Sequence, residues 1–505
     1  MTEEYPGSTG RLLAVGLDSF DPAALEQGLA SGDLPNIAAI LAAGGRYTRL
    51  PLADGLVETA AWRSFTSGQP ADRHGRYFLK LWNPASGAVE AYPPEREPLR
   101  PFWTCLQEAG KRLVLVDVPF AAPPPEAGFQ GLYLSGWQGH YPAPGLSVPP
   151  PGFAELRGRI GAPVLAPERY GPPTAASLAA LRDEALGSLG QLGDLAAAVL
   201  EREPADLVLL VAGGIHAAGH YLWDLSQLPG RERARAEALG LDQAMRAIHR
   251  AADELVGRLT GLAPDWPLLL FTPFGMGPNA SWIDRLPRIL RRLHGEAAPL
   301  AAGLKAPLAR LRRSRLGYLA DAALPDSLRA ALARFWAPRS QDWTRTRFFA
   351  LPSEGDGYIR INLAGRDTTG IVRPGADYER TLDGLEAALR GMTDLETGEP
   401  LVSRLWRTDA FVDAAAPGRA MLPDLVVYWT ARRPHESVGV AIPGHGELRW
   451  PRGEGQSSGR SGNHRPVGWA ITRGIGLAEA RPVRRPRRSW CRPSSGRSAC
   501  RCRSR

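Results

Sequence analysis

The 505 residues are 44% hydrophobic and 8% aromatic, enough to bury a large core and too apolar for a disordered chain despite 46 Pro and 56 Gly. The formal charge of +9 does not describe the body: Arg481 to Arg505 holds ten Arg and no acid, and without them the remainder carries −1, so charge gives no reason to expect nucleic-acid binding by the folded part. Cys105 is the one cysteine outside that terminal stretch, Met1 to Gly10 has no apolar signal core, and no apolar run could span a bilayer, so the expectation is a cytoplasmic protein with no membrane segment and no internal disulfide.

Leu12 to Leu17 is the first buried strand, ending at Asp18. Asp21-Pro22 opens a helix with Pro at an early position, where its missing N–H costs little. Leu34-Pro35-Asn36 opens a second, Ile37 to Ala43, closed by Gly44-Gly45. Glu58 to Phe65 is helical in period, stops at Gly68 and resumes from Pro70 to Gly75. Trp103 to Gly110 reads as a short helix and Arg112 to Val116 as a strand. The stretch 120–173 is rich in Pro and Gly and reads as long loops over the sheet edge or face. Thr174 to Arg202 is a long helix. Leu207 to Ala212 follows, bounded by Pro204 and by Gly213-Gly214, the pattern of a strand buried on both faces. Leu239 to Leu259 is an amphipathic helix, and Pro267 to Thr272 another buried strand.

From Ser281 to Trp343 the chain turns helical and basic, which suggests an inserted cap. Tyr358 to Leu363, Leu425 to Trp429 and Val467 to Thr472 complete the strands. Strands alternating with helices imply an α/β protein, an α/β/α sandwich on a mostly parallel central sheet. Residues 11–280 form the first part of that core, 281–343 the basic helical cap, 344–480 the second part, and 481–505 a disordered Arg-rich tail. The abrupt change of composition at Arg481 leaves two readings, a nucleic-acid or membrane tail and, the preferred one, a shifted reading frame at the C-terminus.

The chemistry gathers at strand ends, where open α/β sheets place their sites. Asp18 follows the first strand. His216 and His220 follow the strand ending at Ala212, and their spacing puts both on one face of a helical turn. His464 precedes the last strand. Three imidazoles suit zinc or a similar divalent ion and leave a position open for substrate. Thr59 is the candidate hydroxyl nucleophile, at a helix start whose N–H groups favour an anion. Taken alone, Thr59 reads as a helix cap. Arg63, one turn further on, could reach a phosphate oxygen, although packing of the helix is the commoner use of such an Arg. Asp424 before Leu425 reads as a turn residue.

These segments resemble the alkaline phosphatase superfamily, in its type I phosphodiesterase and nucleotide pyrophosphatase branch, over most of 11–476. Val15-Gly16-Leu17-Asp18 resembles that family's first metal aspartate, and Leu34-Pro35-Asn36 its helix start. Thr59-Ala60-Ala61-Trp62 through His74-Gly75 is similar to its nucleophile helix. His216 and His220 match an Asp-x-x-x-His metal pair with His in place of Asp, and His464 matches the last metal histidine. Tyr358 to Gly370 is similar to a further signature. The resemblance implies a metal-dependent hydrolase acting on small phosphate esters, phosphodiesters or nucleotide pyrophosphates above all. Thr59 would be its nucleophile, His216, His220 and His464 would hold one ion, and Asp18 with Thr59 would serve a second.

The chain departs from the family at one point. Thr272-Pro273-Phe274-Gly275 stands where the family carries Ser-Asp-His-Gly, so both metal ligands of that motif are missing. One zinc-type ion is therefore more secure than two. The alternative is a relative that has lost activity and binds a phosphorylated ligand or a protein.

Overall fold

The structure is a computed structural model that describes residues 10–475 apart from 53–55, 57–58, 92–98, 122–127, 138–152, 166–170, 203, 296–341, 354, 411, 414 and 452–457. In chain order the elements that position the site begin with β1 (Leu12–Leu17), α1 (Pro22–Ser31), α2 (Pro35–Ala42), β2 (Arg46–Pro51), α3 (Thr59–Ser67), α4 (Ala71–His74) and α5 (Trp103–Glu108). Next come β3 (Leu113–Val116), β4 (Gly131–Leu134), α6 (Ala175–Arg202), β5 (Leu207–Ala212), α7 (Gly214–Leu222), α8 (Ala244–Leu262), β6 (Leu268–Thr272) and β7 (Gly275–Pro278). The second half supplies α9 (Leu286–Leu293), β8 (Gly357–Ile361), α10 (Ala376–Arg390), β9 (Leu425–Trp429), β10 (Gly462–Arg465) and β11 (Val467–Arg473).

Seven strands form the central sheet, in the order β2-β11-β6-β1-β5-β3-β4. The five from β6 to β4 run parallel to one another, and β11 runs antiparallel to both of its neighbours. Side chains alternate between two buried faces, as the period of a strand demands. Leu13, Val15, Val208 and Leu210 enter one core with α2, α6 and α8. Ala14, Leu207, Leu209 and Val211 enter the other with Trp62 of α3 and Trp103 of α5. This is the expected layering of helices on both faces of a mostly parallel sheet.

The start of α2 is docked rather than free. The carboxylate of Asp253, on α8, accepts from the backbone N–H groups of Asn36 (3.0 Å) and Ile37 (2.8 Å) and from the Asn36 amide (2.8 Å). It thereby satisfies orphan donors at the positive end of the helix. A Cβ on Gly257 would lie 2.4 Å from Asn36 Oδ1, so the contact needs glycine there.

Four features differ from the sequence expectation. The stretch expected as loops contains β4 and a helix, Phe153–Ile160. β4 is only four residues long. It opens on Gly131 at φ +126°, where a Cβ would lie 1.9 Å from the Leu113 carbonyl oxygen, a close approach that no periodicity reveals. β2 is largely exposed and lacks an apolar alternation, being the sheet edge. The helix expected from Leu239 begins at Ala244, because Gly240 takes φ 67° and ends the preceding segment. Among the described residues no helix is long and apolar enough to cross a membrane.

The second half builds a four-stranded antiparallel sheet from Phe348–Ala350, β8, β9 and Val402–Arg407. Leu286 and Ile289 of α9 and Leu382 and Leu385 of α10 share its core with Ile359 and Val427. Of the expected cap, α9 therefore belongs to this core, while 296–341 lie outside the described residues, as does the tail from Arg481. A further cluster, including Ala60, Tyr77, Trp82, Tyr358 and Val426, joins this sheet to α3 and α4.

Asp424 is not a turn residue at the surface but a buried hub. Arg366 grips it with two hydrogen bonds (2.7 and 2.8 Å), Arg419 adds one at 3.0 Å, and Ile361 N–H and Tyr378 OH complete its shell. Burial alone would raise its pKa, but the Arg366, Arg419 and Arg360 charges more than offset that and hold it well below the usual carboxylate range.

Candidate metal centre

Three histidines from two distant segments converge. His216 and His220 lie one turn apart on α7, which starts directly after β5, and His464 comes from β10. The Nε2 atoms of His216 and His220 are 2.9 Å apart, and those of His464 and His216 are 3.0 Å apart. All three side chains are buried. Among the described residues they form the one group of three or more His, Cys, Asp or Glu placed to share an ion.

The approach of α7 to β10 depends on glycine. A Cβ on Gly462 would lie 2.0 Å from the Gly219 carbonyl oxygen, so any side chain there would push the strand off the helix and part His464 from His220. Ser461 locks the join: its N–H donates to the His220 carbonyl (2.6 Å) and its hydroxyl to the Tyr221 carbonyl (2.8 Å).

The partners on the far side of two rings fix where their protons sit. His216 Nδ1 is 2.7 Å from Asp18 Oδ2, and His220 Nδ1 is 3.2 Å from the Gly462 carbonyl oxygen. A carboxylate and a carbonyl only accept, so each Nδ1 carries the N–H and each Nε2 turns a lone pair toward the other. Burial, then the nearby His216 and Arg460, hold His464 well below the ordinary imidazole range. Facing lone pairs of this kind repel unless a cation lies between them. Zn–N bonds of about 2.0–2.1 Å in a tetrahedral set put ligand nitrogens about 3.3–3.4 Å apart, a little more than the 2.9 and 3.0 Å of the two close pairs and inside the 4.8 Å that bounds all three. The donor set fits a divalent metal of the zinc type.

Asp18 ends β1 and is buried. Its Oδ2 accepts from His216 and its Oδ1 from Trp62 Nε1 at 3.2 Å. Trp62 is one turn beyond Thr59 on α3, so the carboxylate is tied to the helix that starts with the candidate nucleophile. Thr59 is 4% exposed and, among the described residues, its Oγ1 has no hydrogen-bond partner and so no capping bond. A buried hydroxyl left unpaired costs about 1–3 kcal/mol. Arg63 is buried on the same helix, and its charge is felt at His74.

The departure at 272–275 has a structural consequence. Thr272 donates to the Phe274 carbonyl (2.7 Å) and accepts from Ser19 N–H (3.1 Å), which staples this turn to the loop after Asp18. The Phe274 ring is fully buried and stands 4.9 Å from the His464 ring and 6.2 Å from the His216 ring, centroid to centroid. An apolar ring thus packs beside the histidines where the resembled family carries a ligand. Ser19 itself takes φ 63°, and Asp117 and Phe120 after β3 take 53° and 55°. All three positive-φ residues lie just past the carboxyl ends of the parallel strands β1 and β3.

Sequence reasoning missed Trp62 and the Gly219–Gly462 contact. The signal for Trp62 was its spacing of three from Thr59. The glycine contact joins residues more than two hundred positions apart and leaves no local pattern.

His74, at the end of α4, illustrates a polar group kept neutral. Its Nδ1 accepts from Arg76 N–H (3.0 Å), so its Nε2–H donates to Ser64 Oγ (3.1 Å). Burial, then the Arg63 and Arg76 charges, push its pKa down to about 3. The unfolded chain binds a proton near pH 6.5, whereas the fold resists it until about 3. Stability is therefore full above 6.5 and declines as pH falls through that window. Between pH 7 and 5 this histidine is expected to cost the fold about 2 kcal/mol. Urea unfolding of the wild type and of His74→Asn at both pH values checks this; an unchanged pH difference in the variant would remove His74 as the cause.

No protein-family model matches the chain, and no curated protein matches it. Solved structures do. The phosphonoacetate hydrolase of Sinorhizobium meliloti 1021, in complex with phosphonoacetate, aligns over 92% of this chain and 91% of its own at 13% identity and a TM-score of 0.50. Human ectonucleotide pyrophosphatase / phosphodiesterase 5 aligns over 92% and 87% at 10% identity and a TM-score of 0.39. The first likeness shows the fold, an alkaline phosphatase-like one, as the sequence resemblance implied.

Proposed function

We propose that the chain is a metal-dependent hydrolase of phosphate esters, with small phosphodiesters or nucleotide pyrophosphates as substrates. The observation that carries this reading is the convergence of three buried histidines, two of which have their N–H turned away onto Asp18 and Gly462. A divalent ion held by His216, His220 and His464, zinc by ligand type, would supply Lewis-acid stabilisation of charge on the phosphoryl oxygens. Thr59 attacks phosphorus through Oγ1, which has no protein hydrogen bond to give up. The Thr59 proton passes to solvent, the P–O bond to the leaving alcohol breaks and that oxygen takes a proton from water; a second water then attacks phosphorus, breaking the phosphothreonine P–O bond and restoring the Thr59 hydroxyl. Thr59 opens α3, so backbone N–H groups and the positive helix end face the anion, and Arg63 adds a charge on the same helix. Pro273 and Phe274 offer no donor, so the site takes one ion. The single cysteine of the body, Cys105, fits a cytoplasmic setting.

The test is hydrolysis of bis(p-nitrophenyl) phosphate and of a dinucleotide pyrophosphate by chelator-stripped protein supplied with Zn, Mn or Mg. Stripping is expected to abolish turnover and one of these ions to restore it. No turnover above a Thr59→Ala control with any of the three overturns the enzyme reading. A second reading, favoured by the Phe274 ring beside His464, is an inactive relative that keeps one ion and binds a phosphorylated ligand or a protein; its signature is zinc binding without turnover in the same assay.

A further inference from the structure

We propose that Asp18 is a positioning residue that couples the metal centre to the nucleophile helix, rather than a ligand of a second ion. This rests on the three histidines being a metal site. The geometry on both sides of the carboxylate carries it. Oδ2 takes the His216 Nδ1–H at 2.7 Å, and Oδ1 takes the Trp62 Nε1–H at 3.2 Å. Both partners are fully buried, and Asp18 itself is 1% exposed. Trp62 can come so close because Gly16 has no side chain; a Cβ there would meet the indole at 3.3 Å.

Each bond does a different job. The first fixes the His216 tautomer, so that Nε2 presents its lone pair toward His220 and His464. The second anchors α3 one turn after Thr59, which sets where the hydroxyl sits relative to the histidines. Only a carboxylate accepts on both sides. An amide at this position has one accepting oxygen, and its NH2 group must face an N–H on the other side. With the amide nitrogen toward His216, the imidazole proton moves to Nε2 and the ligand lone pair is lost. With it toward Trp62, the helix loses its anchor. Pro273 and Phe274 remove the other ligands that would call Asp18 into a second site.

The experiment compares wild type with Asp18→Asn. Zinc stoichiometry and affinity are measured on apoprotein by competition with a chelator, and protein labelled with 15N-histidine reports the His216 Nδ1–H. The expected result is one zinc per chain in both proteins, with affinity 10–100-fold weaker in D18N, the range for loss of a group that orients a ligand. The low-field Nδ1–H resonance, assigned by its absence in His216→Gln, is present in wild-type apoprotein and lost in D18N. A charge effect alone would weaken zinc binding and leave that resonance in place, which overturns the proposal. Two zinc ions in wild type and one in D18N would make Asp18 a ligand and also overturn it, as would unchanged affinity. No zinc on wild type overturns instead the metal-site reading beneath it. Should D18N fail to fold, the wild-type resonance decides: it must persist when zinc is added while Nε2 shifts, and its absence rejects the tautomer assignment.

Discussion

Thr59→Ala is expected to lower kcat/KM toward a phosphodiester by about 10³-fold or more, while zinc binding stays within about twofold of wild type. The separation follows from the structure. Among the described residues Thr59 Oγ1 has no hydrogen-bond partner, so its removal breaks no hydrogen bond there, and the proposed zinc site draws on three imidazoles of other segments. Alanine is also the best helix former, so α3 should tolerate the change. Thr59→Ser keeps the hydroxyl and should retain most of the rate. Steady-state kinetics with a chromogenic diester, beside zinc titration, read both halves of the statement. A Thr59→Ala enzyme as fast as wild type would exclude Thr59 as nucleophile and leave the metal centre standing.

The second large effect lies outside the site. Asp424→Ala is expected to destabilise the fold by about 3–5 kcal/mol, seen as a lower urea midpoint at unchanged slope. Asp424 is fully enclosed and accepts from Arg366, Arg419, Tyr378 and the Ile361 N–H. Its removal takes the shared carboxylate from two guanidinium groups with 14% and 9% side-chain exposure, leaving Arg366 with Asp367 and Arg419 with Asp409. Removing one partner from a buried ion network costs far more than losing an exposed surface pair. The effect should reach the site indirectly, since Tyr358 and Val426 of the same sheet pack with Ala60 next to Thr59. A loss below about 1 kcal/mol would mean that water or a neighbouring carboxylate compensates the arginines.

Much of this was legible in the chain. β1 and β5 show as apolar runs because strands buried on both faces need apolar residues at every position. His216 and His220 share a face because a helix repeats every 3.6 residues. The strand-end position of Asp18 and the motif order likewise pointed to a site at the carboxyl edge of the sheet. Asp424 was misread because a lone Asp after Pro looks the same whether it caps a turn or anchors two arginines; the partners sit at 366 and 419 and in sequence terms are unremarked charges. β4 escaped because its glycine serves a contact with another strand.

Local pattern, then, was enough to determine the layers of the fold and the residue types of the centre, since both follow from periodicity and from the chemistry of side chains. Only the tertiary structure decided which way each of those side chains is used. Asp18 faces His216 and Trp62 because β1 lies beside β5 and beneath α3. His464 meets His216 because two glycines let β10 press against α7. A hydrogen bond between residues 198 positions apart depends on the order of strands in a sheet, and that order is settled by the packing of the whole core rather than by any stretch of chain.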